Sequence, residues 1–308
     1  MKIAVLGAGA MGSMYGGHLS EKNEVWLVDV WKEHVEKIQA SGLTIRIDDK
    51  DELYYPKAAV SAQEAGVSDL VIVFVKSVNT AEALQQSKEL FGDHTMVLTL
   101  QNGYGNAEDI LPYVKSENLF IGTASGGATV LGAGHVYQAR IGVTKVGTLK
   151  GGDSSRAGII AEVFNGSGVP TEISEDIMSA VWEKLIVNSG LNAPCSLLNV
   201  RIGFMSECRQ ALELGKRIVE EGVAVAKAEG YDVSAEHIVQ DYYIDGAKGA
   251  GGHNRCSMLQ DADKKRKTEV ERINGAIAEL GGKHGIPTPY NEAMLLMIGA
   301  MEKLYTWK

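Results

Sequence analysis

A chain of 308 residues, 45% apolar and 22% charged, has the composition of a soluble globular protein with enough length for two domains. Its formal net charge of −9 argues against nucleic acid or an anionic membrane as partner, and no run reaches the roughly 18 apolar residues of a membrane span. The three cysteines, Cys195, Cys208 and Cys256, lack disulfide-framework or zinc spacing and read as free thiols in a reducing compartment. The expected location is cytoplasmic, without a secretory leader, because the first apolar residues already belong to a strand.

Lys2–Leu6 reads as that strand and runs into Gly7-Ala8-Gly9-Ala10-Met11-Gly12. Each glycine of this G-x-G-x-x-G has a task in a dinucleotide site. Gly7 permits a tight turn, Gly9 lets a pyrophosphate approach the backbone, and Gly12 lets the next helix pack close to the strand. The helix, Met11–Glu21, would aim its first N–H groups at the phosphates. A second strand, Glu24–Val28, ends in Asp29, an acid placed to accept hydrogen bonds from the adenine ribose. A helix over Trp31–Ser41 follows, then short strands over Leu43–Ile47 and Leu53–Val60, expected outside the parallel core. Asp69–Val75 is continuously apolar after its first residue, as in a parallel strand buried on both faces. Helix Thr80–Leu90, strand Thr95–Leu100 and helix Ala107–Val114 continue the alternation. It predicts an α/β fold with an N-terminal, Rossmann-like doubly wound sheet.

Residues 121–149 are rich in glycine, threonine and valine and read as partly antiparallel closing strands. Gly151-Gly152-Asp153-Ser154-Ser155 reads as a loop. From Glu175 the period becomes helical: Ile177–Leu191, Gln210–Ala228, Ala235–Tyr243, a long helix over Met258–Leu280, and Asn291–Leu304. The expected division is a dinucleotide-binding domain over 1–174 and an all-helical C-terminal substrate domain over 175–308. A ligand site between two such domains is the default expectation. The basic run Lys264-Lys265-Arg266-Lys267 lies among Asp261, Asp263 and Glu269 and reads as a solvated helix face.

Three places can carry chemistry. Lys184, Asn188 and Asn192 stand at i, i+4 and i+8, a polar stripe on an otherwise apolar helix. A lysine in a partly dry site has its pKa lowered and can donate a proton; a surface lysine beside satisfied core asparagines fits the same pattern. Glu269, on one face of the long helix with Ala262, Arg266, Ile273, Ala276 and Leu280, is either placed for use or paired with Lys265 or Arg272. Glu271 points elsewhere and reads as exposed. Gln101-Asn102-Gly103-Tyr104-Gly105 follows a parallel strand, at the edge where such sheets bind ligands, so Asn102 reads either as a ligand contact or as an ordinary Asn-Gly turn. Lys76 ends the Asp69–Val75 strand at the same edge, where a cation can meet cofactor phosphate. The seven histidines show no metal spacing, and no metal site is expected.

Taken together, these segments resemble the ketopantoate reductase (2-dehydropantoate 2-reductase) family along essentially the whole chain. The resemblance rests on Gly7–Gly12, Gln101-Asn102-Gly103, Trp182-Glu183-Lys184-Leu185 with Asn188 and Asn192, Ser257-Met258-Leu259-Gln260-Asp261, Thr268-Glu269-Val270 and Ile273-Asn274-Gly275. It implies NADPH-dependent reduction of 2-dehydropantoate to (R)-pantoate, a step toward pantothenate and coenzyme A. It implies Lys184 as general acid and Glu269 as a second essential residue holding substrate and lysine. It places Asn102, Asn188, Asn192, Asn254 and Ser257 around a small 2-keto acid, with Ser257 near its carboxylate.

The chain departs from the family at one point. Members that prefer NADPH usually carry an arginine near the end of the second strand, where this chain reads Leu27-Val28-Asp29-Val30-Trp31-Lys32. Asp29 suits the free ribose hydroxyls of NADH and repels a 2′-phosphate, unless Lys32 or Lys76 compensates. NADH-using relatives include D-2-hydroxyacid dehydrogenases acting on other branched or aromatic 2-keto acids, which is the alternative reading. A dinucleotide sensor without turnover is a second alternative, disfavoured by the presence of both Lys184 and Glu269. A monomer and a homodimer are equally compatible with the sequence.

Overall fold

A computed structural model of the chain describes residues 1–149, 154–248 and 250–307. Of the loop expected over Gly151-Gly152-Asp153-Ser154-Ser155, the first three residues lie outside the described residues, and Ser155 already opens the helix Ser155–Gly166. The chain forms two compact units. One comprises Met1–Gln101 and Asn106–Ile177, the other Asn102–Gly105 and Met178–Lys308.

Among the described residues, twelve strands lie in the first unit: β1 Lys2–Leu6, β2 Glu24–Val28, β3 Leu43–Ile47, β4 Lys50–Tyr54, β5 Lys57–Ala59, β6 Leu70–Val73, β7 Met96–Thr99, β8 Leu119–Ala124, β9 Gly127–Gly132, β10 His135–Arg140, β11 Thr144–Thr148 and β12 Thr171–Ile173. Eight of them make one sheet in the order β12-β11-β8-β7-β6-β1-β2-β5. All its pairs are parallel except β11 with β8. The order reverses on either side of β1, as in a doubly wound sheet. Every residue of β6 and β7 is buried, which is why β6 reads as an unbroken apolar run.

The other four strands form a small sheet in the order β4-β3-β10-β9. The expectation that 53–60 stands outside the parallel core is corrected here: β5 pairs in parallel with β2 at the edge of the large sheet, and only β4 joins the small one. Tyr55 and Pro56, which belong to neither strand, separate them, and three residues suffice for an edge strand. The helix Ala10–Ser20 packs between the sheets through adjacent glycines. A Cβ on Gly16 would overlap Leu27 of the large sheet, and one on Gly17 would lie 2.5 Å from Ile45 of the small one. Ile3, Val5, Met14, Tyr15, Leu27, Ile45 and Phe120 share the resulting core.

The second unit is helical, with a core of Trp182, Ile186, Ile218, Tyr243, Leu259 and Ile277. Its first helix runs over Ile177–Leu198, through Pro194, rather than ending at Leu191. Burial of Leu191, Ala193, Pro194 and Cys195 holds the chain helical where proline alone would end it. Arg209–Ala228 is amphipathic, with Ile218, Val219, Val225 and Ala226 fully buried. The Ala235–Tyr243 segment is one α-turn, Ala235–Ile238, that widens into a π-helix over Val239–Asp245.

The long helix expected over Met258–Leu280 is broken into Ser257–Asp263, a 3₁₀ turn at Val270–Arg272, and Asn274–His284. Lys265 adopts φ 52°, Lys265 N donates to Ala262 O and Arg266 N to Asp261 O, the left-handed closure that ends a helix. Glu269 therefore does not share a helix face with Ala262 and Arg266. It heads the 3₁₀ turn, where its carbonyl accepts from Arg272 N and Ile273 N, both at 3.0 Å. Pro289–Leu304 is the last helix, and no helix among the described residues is long and apolar enough to cross a membrane.

Candidate active site

In the first unit, β1 delivers the chain into Gly7, which turns at φ 98° while its N–H donates to Val28 O at 2.9 Å. A Cβ there would lie 2.6 Å from Val75 N, and one on Gly12 would overlap Gly7 O, so both positions require the missing side chain. Gly9 is different. A Cβ on it would meet nothing within 4 Å, so open space lies beside the backbone where a pyrophosphate would approach. Gly9 caps the helix that begins with Ala10, Met11 and Gly12, whose first N–H groups have no helical partner of their own. This cradle fits a dinucleotide.

Asp29 is held by the cradle itself. One carboxylate oxygen accepts from Ala8 N at 2.6 Å and the other from Trp31 N at 2.9 Å, which fixes the acid at the carboxyl end of β2. Lys76 caps the turn Ser77–Asn79 that follows β6 and is half-buried. Beside it Gln101 donates to Val75 O at 2.7 Å and to Thr80 Oγ1 at 2.8 Å, tying together two strand ends. A buried relay supports the glycine turn from below. Gly134 N donates to His34 Nδ1 at 2.9 Å, so the other ring nitrogen carries the proton and donates to Ser13 Oγ at 3.0 Å. Ser13 in turn donates to Ala8 O at 2.8 Å. Burial keeps the His34 pKa below its usual value, in agreement with the neutral ring this arrangement needs.

In the second unit, Lys184, Asn188 and Asn192 lie along the Ile177–Leu198 helix. Lys184 and Asn188 are half-buried and Asn192 is buried. Desolvation lowers the Lys184 pKa to about 8, and the charge of Glu269 opposes that shift. Glu269 is half-buried, whereas Glu271 is exposed and pairs with Lys267 at 3.1 Å. The Asn102–Gly105 turn is seated on the residues that follow Glu269. Tyr104 N donates to Arg272 O at 2.9 Å, and a Cβ on Gly103 would lie 2.8 Å from that same carbonyl oxygen. Tyr104 packs its ring on Trp182 with centroids 5.1 Å apart. Asn102, half-buried, is thereby fixed in the unit that holds Lys184 and Glu269.

Asn254 and Ser257 are exposed, at the start of the Ser257–Asp263 helix. A close glycine crossing places that segment: Gly203 N donates to Gly252 O at 2.9 Å and Ile202 N to Asn254 O at 3.1 Å. A Cβ on Gly252 would overlap Ala247 O. Arg255 braces the helix by bonding Asn199 Oδ1 at 2.9 Å and Asp263 at its far end.

Comparison with known proteins decides the family. The chain matches the family described as "Ketopantoate reductase PanE/ApbA" over residues 3–151 and its "C terminal" counterpart over 176–302. It belongs to the ketopantoate reductase family. A 2-dehydropantoate 2-reductase of Halobacterium salinarum is 35% identical over 291 residues, covering 94% of this chain and 95% of that one. One from Streptococcus pyogenes serotype M1 is 31% identical over 306 residues, 98% of each chain. A solved structure of D-mandelate dehydrogenase with NADH and anilino(oxo)acetate superposes with a TM-score of 0.94 at 31% identity, covering 100% of both chains.

Within this ketopantoate reductase fold, three contacts behind the candidate residues of the two units escape sequence reasoning: Gly134–His34–Ser13 in the first, and Tyr104–Arg272 and Thr268 with Glu302 in the second. Each joins residues distant in the chain. Only the buried His34 left a trace in the sequence, as a histidine on an apolar helix face, and that pattern fits packing equally well.

Proposed function

We propose that this chain reduces 2-dehydropantoate to (R)-pantoate with a nicotinamide dinucleotide. Residues 1–174 serve as the cofactor-binding domain and 175–308 as the helical catalytic domain. The observation that carries the reading is the Lys184 ammonium, desolvated yet opposed by the nearby Glu269 charge, with a pKa of about 8. A lysine so tuned is protonated at neutral pH and gives up its proton readily. Gly7, Gly9, Ala10, Met11 and Gly12 hold the pyrophosphate, Asp29 the adenine ribose, and Lys76 and Asn102 complete the cofactor contacts. When bound, the cofactor supplies the hydride. Lys184 stabilises negative charge growing on the carbonyl oxygen and then protonates it. Glu269 holds Lys184 charged and oriented and binds the substrate. Asn102, Asn188, Asn192 and Asn254 supply hydrogen bonds to the substrate, and Ser257 meets its carboxylate.

Asp29 favours NADH over NADPH. Its two oxygens are fixed by Ala8 and Trp31, so it cannot swing away from a 2′-phosphate without breaking both bonds. This observation, with the likeness to a D-mandelate dehydrogenase solved with NADH, supports a second reading: an NADH-dependent D-2-hydroxyacid dehydrogenase acting on other branched or aromatic 2-keto acids. The deciding measurement is the fall in NADH and NADPH absorbance with 2-dehydropantoate and with an aromatic 2-keto acid such as phenylglyoxylate. The first reading expects the higher kcat/KM with 2-dehydropantoate. A higher value with phenylglyoxylate favours the second, and no turnover with either leaves dinucleotide binding without reduction.

A further inference from the structure

Glu302 lies on the last helix, far in sequence from every residue given a role above. Its Oε1 accepts from Thr268 N at 2.7 Å and from Thr268 Oγ1 at 2.6 Å. Thr268 is fully buried, and its Oγ1 also accepts from Val270 N at 3.3 Å. One carboxylate oxygen thus holds the residue immediately before Glu269, at the point where the chain has left the Ser257–Asp263 helix and not yet begun the 3₁₀ turn. The far end of that turn carries Arg272, whose carbonyl holds Tyr104 and so the Asn102–Gly105 segment.

We propose that Glu302 is a positioning residue: by clamping Thr268 it fixes where Glu269 stands relative to Lys184 and where Asn102 is presented. The inference rests on the roles proposed for Lys184 and Glu269. No helix fixes the 264–269 stretch, since Lys265 sits in the left-handed region and the next regular turn starts only at Val270. Two charge-assisted hydrogen bonds to one side chain are therefore the strongest directional restraint on Thr268. The charge bearing on Lys184 is that of Glu269. Near Glu302 stands Tyr305, which caps the end of its helix and whose hydroxyl also feels the charges of Asp261 and Asp263. A shift of Glu269 weakens the support of the lysine's charge and misplaces a reacting group, an error that at about 1 Å costs on the order of 100-fold.

The test compares wild type with Glu302→Ala, Glu302→Gln and Glu269→Ala in full-length enzyme, measuring kcat, KM and the pH dependence of kcat/KM. Melting temperature and NADH affinity are recorded for each as controls of folding. Glu302→Ala is expected to lose roughly 10–100-fold in kcat. Its alkaline limb should move to lower pH, because Lys184 loses part of the charge that raises its pKa. Glu302→Gln keeps an acceptor oxygen at the same reach and is expected to restore most of the activity and the limb. If Glu302→Ala does not fold, Glu302→Asp, which keeps the charge but withdraws the oxygen, takes its place. Wild-type kcat and an unmoved limb in the folded alanine or aspartate variant, alongside an inactive Glu269→Ala, overturn the positioning role. A fully active Glu269→Ala overturns the underlying reading instead, whatever Glu302 does.

Discussion

In the proposed mechanism Lys184 concentrates the chemistry at the scale of one side chain. Its pKa is set by two opposed causes, burial lowering it and Glu269 raising it, and burial wins. With Lys184 as the proposed acid, its protonated form must deliver the proton to the product oxygen, so kcat/KM for keto-acid reduction should be flat below about pH 7 and fall as pH rises through about 8. Lys184→Ala should lose about 10²–10⁴-fold in kcat while keeping its affinity for dinucleotide, read by NADH fluorescence. Near-normal turnover in that variant removes the lysine from the mechanism. Asp29 carries a separate prediction. A hydrogen bond to a charged group is worth roughly 1.5–3 kcal/mol. That corresponds to about one to two decades in the NADH:NADPH ratio of kcat/KM. Asp29→Arg should invert the ratio, and a wild-type preference for NADPH would contradict the assignment outright.

At the scale of elements, the break after Asp263 decides what surrounds Glu269. Lys265 holds a left-handed conformation that costs a side-chain-bearing residue on the order of 1 kcal/mol and costs glycine much less. Lys265→Gly should therefore raise stability by roughly 0.5–1 kcal/mol, visible as a higher urea midpoint with unchanged kcat. A lower midpoint would mean that the lysine side chain contributes more than its backbone costs. The same element shows where the sequence stops being legible. Apolar residues recur at helical spacing from Leu259 to Leu280, and the intervening Lys264–Lys267 run holds neither glycine nor proline, so a continuous helix is the natural reading. What ends it lies outside the local pattern: Lys265 turns left-handed, and Thr268 N donates to Glu302, 34 residues further on. Features governed by local rules were readable. The glycine cradle needs only a turn and open space, β6 announces its burial by composition, and Lys184, Asn188 and Asn192 align because helices repeat every 3.6 residues. Edge strand β5 was misplaced because three residues carry no pattern, and its partner β2 is chosen by the fold.

Across the whole molecule, two separate cores divide the chain, and the division is not a single cut. Asn102–Gly105 leaves the first unit, joins the second, and returns at Asn106. The anchor of this excursion is Tyr104 on Trp182, with its N–H on Arg272. Tyr104→Ala should cost about 2 kcal/mol, less than a fully buried aromatic because the ring is only half-covered. The loss should fall on the second core. Hydrogen exchange would show amides of the Ile177–Leu198 helix opening faster, while those of β1 and β6 keep their protection. Equal loss in both would mean that the units unfold as one.

The same excursion limits how the chain can be recombined with its relatives. A hybrid spliced only near residue 177, taking its sheet-bearing half from one homologue and its helical half from another, would carry a foreign residue 104 onto a native Trp182. Gly103 and Gly105 would likewise meet a different residue at position 272; a Cβ on Gly103 would lie 2.8 Å from the Arg272 carbonyl oxygen and one on Gly105 2.6 Å from its guanidinium. Domain exchange in this chain is therefore a three-junction graft, with the tetrapeptide transplanted together with the helices rather than with the strand that leads into it.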